Sequence, residues 1–212
     1  MGAGLTIPAL AVALLPQLSA EIDQHWPDLS PRSTLAGQIE QETCPSLRSP
    51  RCFSPRAELR TARERGVGLG QFTKTARFDA LSELREKHPD QLGGWSWKNP
   101  YDATYQLRGL VLKDRDDYLT IRGAANSHER MAFTLSSYNG GRGGVNSDRV
   151  LCAHTRGCNP EYWFGNVEHT SLKQKTTVKG YGKSFFDINR EYVRNIYFTR
   201  RAKYAPYLDK EK

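Results

Sequence analysis

Three stretches of this chain combine residue types that could cut a polar polymer. Ile39-Glu40-Gln41-Glu42-Thr43 sets carboxylic acids at the end of an apolar run. Gly66-Val67-Gly68-Leu69-Gly70-Gln71 is rich in glycine and ends in an amide. Ser137-Tyr138-Asn139-Gly140-Gly141-Arg142-Gly143-Gly144-Val145 brings a phenol, a second amide and more glycines. One acid beside a glycine-lined groove suits cleavage of a sugar polymer. The acid would protonate a glycosidic oxygen, glycines let backbone approach a flat ring, and an amide can donate and accept toward an acetamido group.

Glu42 is the acid this pattern selects. Leu35, Ile39 and Glu42 follow at spacings of four and three, which puts them on one helix face. Burial there disfavours the carboxylate, and so does the negative end of the helix dipole, so both would raise its pKa toward what a general acid needs. Glu40 lies about 200° round the same helix and off that face. The alternative for Glu42 is a helix-end glutamate on a solvated face, the commoner fate of the residue type; its place on the Leu35/Ile39 face and in the motif favours the acid. Retaining and inverting glycosidases need a second carboxylate. These segments offer none: Glu58 and Glu64 lie among Arg56, Arg60, Arg63 and Arg65 and read as surface ion pairs. Taken alone, the glycine hexamer also reads as a tight turn, and Tyr138 as a core tyrosine before a glycine helix cap.

With Phe53-Ser54-Pro55-Arg56-Ala57 falling between the first two stretches, the order resembles the soluble lytic transglycosylases and goose-type lysozymes. Their pattern runs Gln-Glu-Ser, Phe-Asn-Pro-x-Ala, Gly-Leu-Met-Gln and Ala-Tyr-Asn-Ala-Gly-x-Gly-x-Val. The resemblance covers residues 34–72 and 99–146; Asn189-Arg190-Glu191-Tyr192-Val193 matches a later Glu-Thr-x-x-Tyr-Val helix weakly. It implies a mainly α, lysozyme-like single domain with a catalytic helix, glycine-rich groove loops and an irregular segment before a C-terminal helix. It also implies Glu42 as sole catalytic acid/base with Tyr138 beside it. Substrate would be bound by Gly68, Leu69, Gly70, Gln71, Asn139, Gly140 and Tyr192. In that chemistry Glu42 protonates the MurNAc-GlcNAc bond and the 2-acetamido group stabilises the cationic centre. Glu42 then deprotonates the C6 hydroxyl, which closes a 1,6-anhydro ring. No metal or other cofactor is expected. Two departures stand out: Gly70 replaces a methionine, which would widen the groove, and nine residues from Cys44 to Cys52 interrupt the spacing.

The elements that would carry these residues read as helices over about 30–145. Leu10, Leu14, Leu18 and Ile22 recur at helical spacing within residues 7–25, so residues 1–30 form an N-terminal helical extension packed on the domain. Ser30-Pro31 offers a helix start and Pro45 an end. Phe78, Leu81 and Leu84, then Leu107, Leu110 and Val111, then Met131, Leu135 and Tyr138 mark three more helices, the last ending at the glycine loop 140–144. Residues 146–182 are rich in turn formers and read as an irregular insertion. Phe185, Ile188, Tyr192, Ile196 and Tyr197 mark a basic C-terminal helix within 183–212. Trp95, Trp97 and Trp163 are candidates for sugar stacking or for core.

The 212 residues suffice for one well-cored domain. Of the net charge of +8, residues from Lys173 onward carry +7, from eleven basic and four acidic residues. Such a region attracts anionic partners, peptidoglycan and outer-membrane or wall polymers among them. Nucleic acid is not expected, since no helix-turn-helix or RNP signature accompanies the charge. Cys44/Cys52 and Cys152/Cys158 form close pairs, which suggests two short disulfide loops and an oxidising place of work. A zinc site with His154 lacks the usual knuckle spacing, and reduced thiols stay open as an alternative. No apolar run is long enough to span a membrane, and the N-terminus lacks the positive start of a signal peptide. Small size and a basic C-terminal region look like a phage endolysin or virion-borne enzyme. Such a protein is made in the host cytoplasm and acts as a monomer in the periplasm or wall. A hydrolytic muramidase, and a non-catalytic wall-binding or structural protein, are the alternatives.

Overall fold

The computed structural model describes residues 6–173 and 175–209. Parts of the expected N-terminal extension, the irregular insertion and the C-terminal helix lie outside them. The described chain is mainly helical, with one small antiparallel sheet of three strands. It divides into two compact units. One comprises residues up to 113 together with those from 198 onward; the other comprises 114–197.

In the first unit, helix α1 (Ala9–His25) buries Ala11, Leu14, Leu15, Leu18 and Ile22, while Leu10 is left exposed. Leu14, Leu18 and Ile22 are thus buried as expected, and only at the first turn does Ala11 take the place of Leu10. Helix α2 (Ser33–Thr43) follows and is buried along almost its whole length. Strands β1 (Glu58–Arg60), β2 (Glu64–Val67) and β3 (Phe72–Thr75) form the sheet in the order β1-β2-β3. This corrects the helical expectation for that stretch: three- and four-residue strands carry too little periodic pattern to read. Helices α3 (Ala80–Lys87) and α4 (Pro89–Leu92) are short, and α3 is capped by Asp79, whose carboxylate accepts from Ser82 N. Helix α5 (Ala103–Thr120) begins in this unit and buries Leu107, Leu110 and Val111 as expected. Trp95 is fully buried, edge-on to Phe72 with centroids 4.8 Å apart, so it belongs to the core.

The second unit holds α6 (Ser127–Gly140), α7 (Arg142–Ala153), a 3-10 turn at Val167–His169 and α8 (Phe185–Arg194). Asn126 caps α6 through Glu129 N. Met131 through Ser137 are all buried, and α8 packs on α6. Two expectations are corrected here. Residues 140–144 are not a loop: the chain turns at Gly141, whose φ of 79° favours glycine, and Gly143 and Gly144 lie inside α7. The irregular segment consequently begins after Ala153, beyond eight residues that read as turn formers. Cys152–Cys158 closes the end of α7 as a disulfide. Trp163 is fully buried against Phe133 and Arg190.

The expected C-terminal helix is also broken. After α8 the chain runs through a π-helical segment (Asn195–Arg200), a 3-10 turn (Arg201–Lys203) and helix α9 (Ala205–Leu208). Residues 198–209 belong to the first unit, where the 3-10 turn and α9 pack on α2. A helical period reports the apolar face of α8 but not this change of course.

Candidate active site

Glu42 stands one residue from the end of α2 and, like Gln41 before it, is half-buried. The end of α2 is fixed from three sides. Thr43 Oγ1 donates to Ile39 O at 2.6 Å and accepts from Phe53 N at 2.9 Å. Cys44 bonds covalently to Cys52 with a Cα–Cα distance of 4.1 Å. The nine residues that interrupt the expected spacing thus form a pinched loop whose root holds the last turn of α2. On the same side of α2, one turn before Glu42, Gln38 is fully buried, and neither atom of its amide has a hydrogen-bond partner among the described residues. Buried amides are nearly always satisfied, so this enclosed one is an exception within the packed face of α2.

Glu40, off the Leu35/Ile39 face, is fully buried as well. Arg200 Nη1 approaches its carboxylate at 2.7 Å and Lys203 Nζ at 2.5 Å, and the Tyr204 hydroxyl donates to the other oxygen. Arg200 Nε also donates to Gln41 Oε1 at 2.6 Å. Farther along, Asp209 accepts from Ser33 N at 2.8 Å and Ser33 Oγ at 2.5 Å. That carboxylate caps the positive end of α2, which has no cap of its own. Burial first, and then the hydrogen bond to Glu40, push the Tyr204 hydroxyl well above the usual phenol range.

The second expected stretch is the β2–β3 turn. Gly68 has a φ of 73°, and a Cβ there would meet the Gln106 amide at 2.2–2.4 Å. Gln106 is the residue the sequence reading missed. Fully buried on α5, it accepts from Leu69 N at 2.9 Å and donates to Pro55 O and Pro100 O at 2.9 and 2.8 Å. Nothing in local pattern distinguishes it from any other helical glutamine. Leu69 is fully buried and Gly70 is buried, so these two shape the turn from inside and do not line a groove. Gln71 Nε2 donates to Gly68 O and Ala57 O at 2.9 and 3.2 Å. Its side-chain amide thus staples the turn.

The third stretch and the weak C-terminal match meet in the second unit. Tyr138 is half-buried and stacks on Tyr192, with ring centroids 6.5 Å apart and planes within 7°. Tyr192 is itself buried, so it supports Tyr138 from behind. Asn139 is exposed and accepts from Asn189 Nδ2 at 3.1 Å; Asn189 also bonds Ser136 through its O and Oγ. A Cβ on Gly140 would lie 2.8 Å from Asn189 Nδ2, so glycine admits that contact. Beneath lies a buried ion cluster. Asp148 takes Arg190 Nη2 at 2.8 Å, Lys173 Nζ at 3.1 Å and Ser171 Oγ at 2.8 Å.

The expected residues thus fall into two sets. Glu42 and the 68–71 turn belong to the first unit; Tyr138, Asn139, Gly140 and Tyr192 belong to the second. The four cysteines pair as the spacing suggested. Half-buried and on a helix end held by covalent and hydrogen bonds, Glu42 can exchange a proton from a fixed position. The sequence matches no protein-family model and no curated protein.

Proposed function

We propose that the protein is a peptidoglycan lytic transglycosylase with Glu42 as its single acid/base. The observation that carries this reading is the placement of Glu42. It ends a helix buried along its length and clamped at its last turn by Thr43, Phe53 and the Cys44–Cys52 bridge. A general acid must hold its proton within hydrogen-bond reach of one oxygen, and a fixed helix end supplies that restraint. The order of the sequence segments supports the same reading, and with it a lysozyme-like fold, action on the cell wall and an endolysin's or virion-borne enzyme's setting.

Glu42 would protonate the glycosidic oxygen, and the neighbouring 2-acetamido group would stabilise the cationic carbon. The Glu42 carboxylate would then take the C6 hydroxyl proton as that oxygen closes the anhydro ring. Mass spectrometry of muropeptides released from purified peptidoglycan tests this, with wild type beside Glu42→Gln. Products one water lighter than hydrolytic muropeptides, lost in the variant, are expected. Reducing-end products would mean a hydrolase, and products from Glu42→Gln would remove Glu42 from the role.

A further inference from the structure

The sheet carries a concentration of positive charge that the chemistry at Glu42 does not use. Between Arg48 and Arg77 the chain has eight basic residues and two acidic ones. Strand register aligns three of the cations across the sheet: Arg60 stands opposite Arg65, and Arg65 opposite Lys74. Like charges directly opposed repel. Glu58 offsets part of this, pairing with Arg65 at 2.9 Å and Arg60 at 3.8 Å, while Tyr101 donates to it at 2.5 Å. Asp79 pairs with Lys74 at 3.0 Å, yet the same carboxylate also accepts from Trp97 Nε1 and caps α3. The Trp97 ring lies against Arg65 and Lys74, at 5.2 and 5.4 Å.

This arrangement is confined to one end of the sheet. On the same face Val67 and Phe72 are core, whereas Arg60 and Lys74 are exposed. Antiparallel order brings the β1–β2 turn and the chain after β3 to that exposed end. Each adds an exposed arginine, Arg63 and Arg77, and neither forms an ion pair among the described residues. Phe78, next to Arg77 in the chain, is 44% exposed.

We propose that this end of the sheet docks on an anionic lipid bilayer surface. Charge complementarity favours a phosphate-rich partner, and the exposed Phe78 next to Arg77 adds the apolar contact that settles into a headgroup layer. Neighbouring strands lie about 4.8 Å apart, so the row presents its charges over about 10 Å on a flat face. That shape suits an extended surface. The inference does not depend on Glu42 being catalytic.

The test is co-sedimentation of the full chain with phosphatidylglycerol/phosphatidylcholine vesicles and with phosphatidylcholine alone. Binding to the first only, weakening as salt rises, is expected. Arg63→Gln/Arg77→Gln should lower the affinity about tenfold or more, with an unchanged thermal midpoint because both side chains are exposed in turns. Arg156→Gln/Lys179→Gln removes the same charge from exposed positions of the second unit and should leave binding near wild type. No binding by wild type, or equal loss in both double variants, overturns the proposal. So does tighter binding to duplex DNA that the same arginines control, which would make the face a nucleic-acid surface.

Discussion

Both carboxylate oxygens of Glu40 are held by donors that lie at least 160 positions later in the chain: Arg200, Lys203 and Tyr204. Glu42, two residues on, keeps part of its surface. The helical period separates Glu42 from Glu40 by face, yet α2 is buried on every side from Ser33 to Glu40. Nothing local announces the cover over Glu40 that the C-terminal residues supply. Gln106 was hidden for the same reason, its three partners lying on separate loops. The Glu40 cluster gives a prediction at this scale. Glu40→Gln leaves two cations facing a neutral amide inside the fold. Breaking such a pair by removing one partner costs on the order of 3 kcal/mol, moderated because Arg200 keeps a quarter of its side chain in water (24%). Urea unfolding should show a lower midpoint of that order. A midpoint equal to wild type would mean the cluster adds no stability.

At the scale of elements, the long helices were legible and the short pieces were not. α1, α5, α6 and α8 each bury a stripe long enough to impose a 3.6-residue period. The strands are three or four residues long, mix arginine and glycine, and offer two positions per face at most. α7 was read as loop because Gly143 and Gly144 weaken a helix by about 1 kcal/mol each relative to alanine. Packing overrides that: Val145, Asp148 and Cys152 bury one face, and Lys173 sits where a Cβ on Gly144 would be. The bridge after α2 was legible from cysteine spacing alone, and its purpose emerges from the hydrogen bonds around it. Replacing Cys44 and Cys52 together with serine should remove about 2–3 kcal/mol of stability, the loop-closure entropy of so short a ring. Because Thr43 and Phe53 still hold the helix end, the loss should appear mainly in the thermal midpoint. Cleavage by the double variant at low temperature should persist, and complete loss there would show that the bridge itself positions Glu42.

Across the whole molecule, the sequence located the surplus charge in the C-terminal region, yet much of it is engaged within the fold. Lys173 and Arg190 face Asp148, Lys183 faces Glu191, Arg194 faces Glu168, and Arg200 and Lys203 face Glu40. Folding is thereby linked to pH at both ends of the scale. On the acid side, the Tyr101 hydrogen bond, helped by Arg65 against the opposing effect of burial, holds Glu58 below its ordinary value of 4.5. Burial alone would raise Asp79, but bonds from Ser82, Lys74 and Trp97 outweigh it and hold it below 3.8. Stability from these two groups is complete above their ordinary values. It is lost as pH falls toward the lowered ones, because the unfolded chain then binds more protons. On the alkaline side the sign reverses for Tyr204. The unfolded phenol ionises near 10.0 while the folded one keeps its proton, so stability falls as pH rises above about 10. Urea midpoints measured from pH 3 to 11 should form a plateau with two falling limbs. Glu58→Gln should shallow the acid limb, and Tyr204→Phe the alkaline one. An alkaline limb unchanged in Tyr204→Phe would show that the phenol buried against Glu40 does not set that limit.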